Sequence, residues 1–156
     1  MKYNKVKSSK QVIRCISILD HPIPNTNDLP SVQIILPQRQ INRKNDIFIA
    51  GLNYTHGVCK KGFYLAIIST MVETDKPVDE LKPAFDLIGN VLESFITVSQ
   101  LYEPIDTSFS DNVFISTSFD PLSHFESDTN NIIELYKKIT GKEVDLKIEE
   151  EGETAK

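Results

Sequence analysis

The chain has 156 residues, 40% of them hydrophobic and 25% charged. That is enough for one domain that removes roughly two-thirds of its surface from water, and no apolar run approaches the ~20 residues that a membrane helix needs. The net charge of −5 is unevenly spread: residues 1–61 hold ten Lys/Arg against three Asp, a balance of +7, and the remainder carries −12. No exposed-aromatic or basic nucleic-acid motif accompanies the positive half, so nucleic acid is not the expected partner; the asymmetry fits either two solvated faces or an electrostatic contact with a charged protein. Two cysteines are too few for a disulfide framework, and no leader opens the chain, which points to a soluble protein of the cytoplasm.

In chain order, "QVIRCISIL" (11–19) and "SVQIIL" (31–36) predict two strands. Between them lies "DHPIPNTND" (20–28). Pro22 and Pro24 hold the backbone extended, while Asn25, Thr26, Asn27 and Asp28 can bond their own amides, so a structural corner is expected. Asp20, His21 and Asp28 would suit a general base, but no activated nucleophile is evident.

"QRQINRKND" (38–46) follows as a loop whose Arg39, Arg43 and Lys44 could reach an acidic surface or a phosphate, and these three form the candidate partner-binding set. "DIFIAGLNY" (46–54) and "FYLAIISTMV" (63–72) predict a hairpin around "THGVCKKG", whose two glycines can take positive φ. His56 and Cys59 have a spacing that could serve a metal, but no second pair stands nearby to complete four ligands, and no metal is expected.

"VDELKPAFDLIG" (78–89) predicts a short helix with Leu81, Ala84, Phe85 and Ile88 at helical spacing and Pro83 in its first turn. Strands are expected at 94–102, ended by Pro104, and at "NVFISTSF" (112–119). His124 is expected to cap or pack at the entry of the last helix, 127–140. There Ile132, Ile133, Tyr136 and Ile139 form a stripe for docking onto the sheet, Ser127 or Asp128 caps the start, and Gly141 ends it. Residues 11–146 are thus expected to form one α+β domain with a mixed or largely antiparallel sheet, with 1–10 and 147–156 as flexible ends. No GxGxxG or GxxxxGK[ST] occurs, so no phosphate-cradling loop and no cofactor is expected.

The segments "QVIRCISILDHPIPNTND", "INRKNDIFIA", "GFYLAIISTMVET", "LYEPID" and "HFESDTNNIIELYKKITG" together resemble the carboxyl-terminal portion of Rab GDP-dissociation inhibitors, in order from about Val12 to Asp145. Rab escort proteins share parts of the pattern and are the alternative. The resemblance implies a piece of a longer, non-enzymatic protein with a flavoprotein-monooxygenase-like sheet domain. That protein would bind GDP-loaded, prenylated Rab GTPases, slow GDP release, draw the GTPases off membranes and keep them soluble for vesicle traffic. It also implies that the main Rab-binding platform and the lipid-binding helices lie in sequence this chain lacks, so its own part is scaffold or auxiliary contact. Apolar surface bared by the separation would favour self-association.

Overall fold

The computed structural model describes residues 5–105, 112–118, 121 and 125–146. Five strands form one sheet: β1 (Val6–Leu19), β2 (Ser31–Leu36), β3 (Ile47–Asn53), β4 (Tyr64–Met71) and β5 (Glu93–Pro104). Their order is β2-β3-β4-β1-β5, and every neighbouring pair is antiparallel. The α+β expectation with a largely antiparallel sheet therefore holds.

Alternation along the central strand β1 produces two faces. Ile13, Cys15, Ser17 and Leu19 are fully buried on one of them. Register places Ile68 beside Cys15 and Ala66 beside Ser17, and Ile47 and Ile49 continue the same face across β3. Over this face lies α1 (Lys82–Ile88), entered through a 3₁₀ turn at Asp79–Leu81. Leu81, Ala84 and Ile88 are fully buried, and Pro83 sits in the first turn, where its missing N–H costs no helical bond. Gly89 ends the helix at φ 85°, a conformation that a side chain would strain.

The corner between β1 and β2 seals one end of this core. Asn25, Asn27 and Asp28 all have positive φ, which Asn and Asp tolerate better than other side-chain-bearing residues. The Thr26 hydroxyl donates to the Ile23 carbonyl at 2.7 Å, and the Leu29 amide donates to the Thr26 carbonyl. The chain is thereby bent so that Ile23, 4% exposed, enters the core. Ile23 lies against β3 at Gly51: a Cβ there would stand 2.7 Å from Ile23 Cδ1 and 2.8 Å from Val32 Cγ2.

Four expectations are corrected. The first strand begins at Val6, so Val6–Lys10, assigned to a flexible end, is part of β1: Val6–Ser8 pair with β5, and Ser9 and Lys10 span a register shift before pairing resumes at Gln11. Residues 112–118 form no strand: the Ser118 amide donates to the Tyr102 carbonyl, but no ladder follows from that bond. The last helix, α2 (Glu126–Thr140), starts before Ser127 and Asp128, so neither is its cap; its cap residue, Phe125, makes no side-chain bond. Finally, α2 does not dock on the sheet. None of its residues is buried, and Ile132, Tyr136 and Ile139 are exposed. Periodicity reports that a helix face is apolar but not which surface covers it. The predicted end at Gly141 holds, with φ 70° and its amide donating to the Lys137 carbonyl at 2.8 Å. His124 and residues 147–156 lie outside the described residues.

Candidate functional site

The basic loop 37–46 joins β2 to β3 at one end of the sheet. Its own amides shape it: Gln40 donates to the Pro37 carbonyl, Arg43 to the Gln38 carbonyl, and the Gln38 amide to Asp46 Oδ1 at 2.7 Å. Two glutamates from the chain after β4 then clamp it. Glu73 accepts from the Lys44 amide and from both the amide and side chain of Asn45, at 2.8–3.1 Å. Glu80, at the 3₁₀ turn before α1, accepts from the amides of Glu73 and Thr74 and from the Thr74 hydroxyl.

Arg43 links the two carboxylates. Its Nη2 lies 2.7 Å from Glu80 Oε2 and 3.4 Å from Glu73 Oε1, and it donates to the Met71 carbonyl at 2.9 Å. Only 9% of the Arg43 side chain is exposed and 5% of that of Glu80. Burial works against the charge on Glu80, yet donation from the Thr74 hydroxyl, Arg43 and two amides outweighs it, and the carboxyl stays below the ordinary glutamate range. For Glu73 burial is likewise overcome, by Asn45, the Lys44 amide and Arg43. One atom of the cluster, Arg43 Nε, has no acceptor among the described residues.

The three cations of the candidate set are therefore separated by the fold. Arg39 and Lys44 are exposed, whereas Arg43 is turned inward and engaged. Its expected place on an outer surface is corrected: a guanidinium bound to a buried carboxylate and a strand carbonyl cannot also reach a partner. Sequence reasoning missed the reverse case, Lys10. It comes from β1 and lines, with Lys44, a cleft of about 340 Å³ whose apolar lining includes Phe48, Met71, Leu101 and Pro121. A gap of 34 residues hides this proximity; the signal that could have found it was continuation of β1 before Gln11.

The other candidates resolve as structure. Both His21 ring nitrogens face backbone carbonyls, and Asp28 Oδ1 accepts from the Tyr64 hydroxyl at 3.0 Å, so no dyad assembles from Asp20, His21 and Asp28. The Cys59 thiol donates to the Phe63 carbonyl, and His56 lies in an exposed 3₁₀ turn. Among the described residues, no three His, Cys, Asp or Glu gather as a metal site would require. None of their helices is long and apolar enough to cross a membrane.

Comparison with known proteins gives a consistent picture. The family model described as "GDP dissociation inhibitor" matches residues 1–151. The chain is 51% identical over 143 residues to the "Probable secretory pathway GDP dissociation inhibitor 1" of Schizosaccharomyces pombe, covering 92% of this chain and 32% of that protein. It is 49% identical over 150 residues to the "Rab GDP-dissociation inhibitor" of Saccharomyces cerevisiae, covering 96% and 33%. Among solved structures, that of Rab GDI from Plasmodium falciparum superposes with a TM-score of 0.87 at 43% identity, over 92% of this chain and 33% of that one. The chain thus spans about a third of the length of these relatives.

Proposed function

We propose, since this chain belongs to the GDP dissociation inhibitor family, that it is the carboxyl-terminal part of a regulator, not an enzyme, that binds Rab GTPases. The family match over nearly the whole chain, together with about 50% identity to named inhibitors, carries the reading. In the full-length protein the partner is the GDP-loaded, prenylated GTPase, which the inhibitor withdraws from membranes and holds in the cytoplasm. Burying a prenyl chain is favoured by about 0.8 kcal/mol per CH₂, so withdrawal needs a substantial apolar pocket. The 340 Å³ cleft is small for that task and carries two lysines at its lining, so lipid capture belongs to the longer protein. The part of this chain is to scaffold the recognition surface and to add an electrostatic contact through Arg39 and Lys44.

The test is titration of the 156-residue chain and of its full-length parent with GDP-loaded, prenylated Rab at low and moderate salt. Binding by both, weaker at the higher salt, supports a contact through the basic loop. Binding by the parent alone makes this part purely a scaffold. Failure of both to bind removes the assignment, and preference for presenting unprenylated Rab to a prenylating enzyme would favour the escort alternative.

A further inference from the structure

His21 stands in the corner after β1, and its ring bridges to the connection between α1 and β5. Nδ1 lies 2.8 Å from the Pro22 carbonyl oxygen and Nε2 lies 3.0 Å from the Asn90 carbonyl oxygen. A carbonyl only accepts, and a neutral imidazole carries one N–H, so only the doubly protonated ring satisfies both contacts. The connection rests closely on the ring: a Cβ on Gly89 would meet His21 Cε1 at 3.0 Å, and Gly89 has the positive φ of 85° that favours glycine. Just beyond, the Leu92 amide donates to the Ile18 carbonyl at 2.9 Å, the first bond that ties this connection to β1.

We propose that His21 is a proton-operated latch: as an imidazolium it donates at once to the Pro22 and Asn90 carbonyls, and release of one proton to solvent frees the 89–92 connection from the corner. The ring then keeps one N–H, and its other nitrogen turns a lone pair toward a carbonyl oxygen, which repels it. Among the described residues, the one charged group acting on the ring is Asp20, on its own segment; the α1–β5 connection contributes only the Asn90 carbonyl. The Pro22 carbonyl chiefly raises the imidazole above its ordinary value of 6.5; burial opposes it as the next-largest effect, and Asn90 and then Asp20 add to the rise. A group raised in the folded state stabilises it fully below the unfolded value, and that contribution is lost as pH rises through the folded value. The latch is therefore closed on the acid side and opens toward alkaline pH. This inference does not depend on the Rab reading.

The test follows the His21 ring nitrogens by NMR in the isotope-labelled 156-residue chain from about pH 5 to about pH 9. At each end, the exchange protection of the Leu92 amide is measured after correction for intrinsic exchange. The expected result is a midpoint above 6.5, and Leu92 protection that falls at the alkaline end by up to ~tenfold for each pH unit of elevation. In Asp20→Asn the midpoint stays above the ordinary value, because the carbonyls remain. In His21→Gln the pH dependence of Leu92 protection disappears. A wild-type midpoint at or below the ordinary value overturns the latch, as does equal Leu92 protection at both ends. So does an Asp20→Asn midpoint that returns to the ordinary value, or an undiminished pH dependence in His21→Gln.

Discussion

Glu80 and Arg43 show how a single residue's role depends on what surrounds it. Each is charged, nearly buried and bound to the other at 2.7 Å. Breaking a buried pair by removing one partner costs about 3–5 kcal/mol, an upper limit here because Arg43 keeps Glu73 at 3.4 Å and the Met71 carbonyl. Glu80→Gln is therefore expected to lower the unfolding free energy by up to that amount, read as a lower urea midpoint with the slope of the transition unchanged. The pH dependence has the opposite sign to that of His21: the carboxyls of Glu73 and Glu80 are held low, so their stabilisation is present above the unfolded value of 4.5 and is lost as pH falls through the folded values. Acid unfolding monitored by circular dichroism should begin less steeply in Glu80→Gln than in the parent sequence. The same geometry divides the basic loop. Arg39→Glu with Lys44→Glu should leave the melting temperature within the scatter of surface changes, about 0.5 kcal/mol in stability, and weaken Rab binding by the parent protein. Arg43→Glu, which faces two carboxylates, should instead unfold the loop clamp and lower the melting temperature markedly. Equal effects from the two variants would contradict the separation of Arg43 from its neighbours.

At the scale of elements, the two helices contrast. α1 has only seven residues, too few to hold together in water alone, and it persists because Leu81, Ala84 and Ile88 enter the sheet core. α2 has fifteen residues, acidic groups in its first turn and lysines in its last, so local effects favour it without burial. Leu81→Ala should accordingly cost about 2–5 kcal/mol by denaturant unfolding, whereas Ile132→Ser with Ile139→Ser should change the stability of the chain by about 0.5 kcal/mol or less. The corner acts at the same scale. Its prolines limit the unfolded chain, and its three positive-φ residues place Ile23 over Gly51. Pro22→Ala with Pro24→Ala should lower the melting temperature more than it alters Rab binding by the parent. Retention of the melting temperature with loss of binding would move this corner from scaffold to interface.

The whole molecule is a sheet covered unevenly. One face is sealed by α1 and the corner, while on the other Phe48 and Met71 are buried but Ile16, Ile35 and Phe95 stay exposed. The edge strand β5 also exposes Ile96 and Val98 on the side that α1 covers elsewhere. Apolar side chains exposed on both faces of the same strand leave surface on which another chain can pack. Since the chain spans a third of its relatives' length, separation from the rest of such a protein should leave it prone to associate. Light scattering on a sizing column should show a mass that rises with concentration, and a monomer at all concentrations would mean that these side chains are covered in solution.

Much of this protein was legible in its sequence because the relevant forces act within a few residues. Alternation marked the strands, the 78–89 spacing marked α1, the glycines marked turns and a helix end, and the unusual wording of five segments carried the family. Tertiary structure alone settled three matters. Arg43 looks like its neighbours Arg39 and Lys44 until Glu80, 37 residues away, binds it. Lys10 looks like part of a loose end until β1 extends past it to Val6, the Gln100 side chain of β5 donates to its carbonyl, and the fold sets it beside Lys44 at the same cleft. The stripe on α2 looks like a core face until the sheet offers it no cover. In each case the deciding energy comes from groups distant in sequence, through desolvation, ladder pairing or shape, and no local pattern encodes which distant group will arrive.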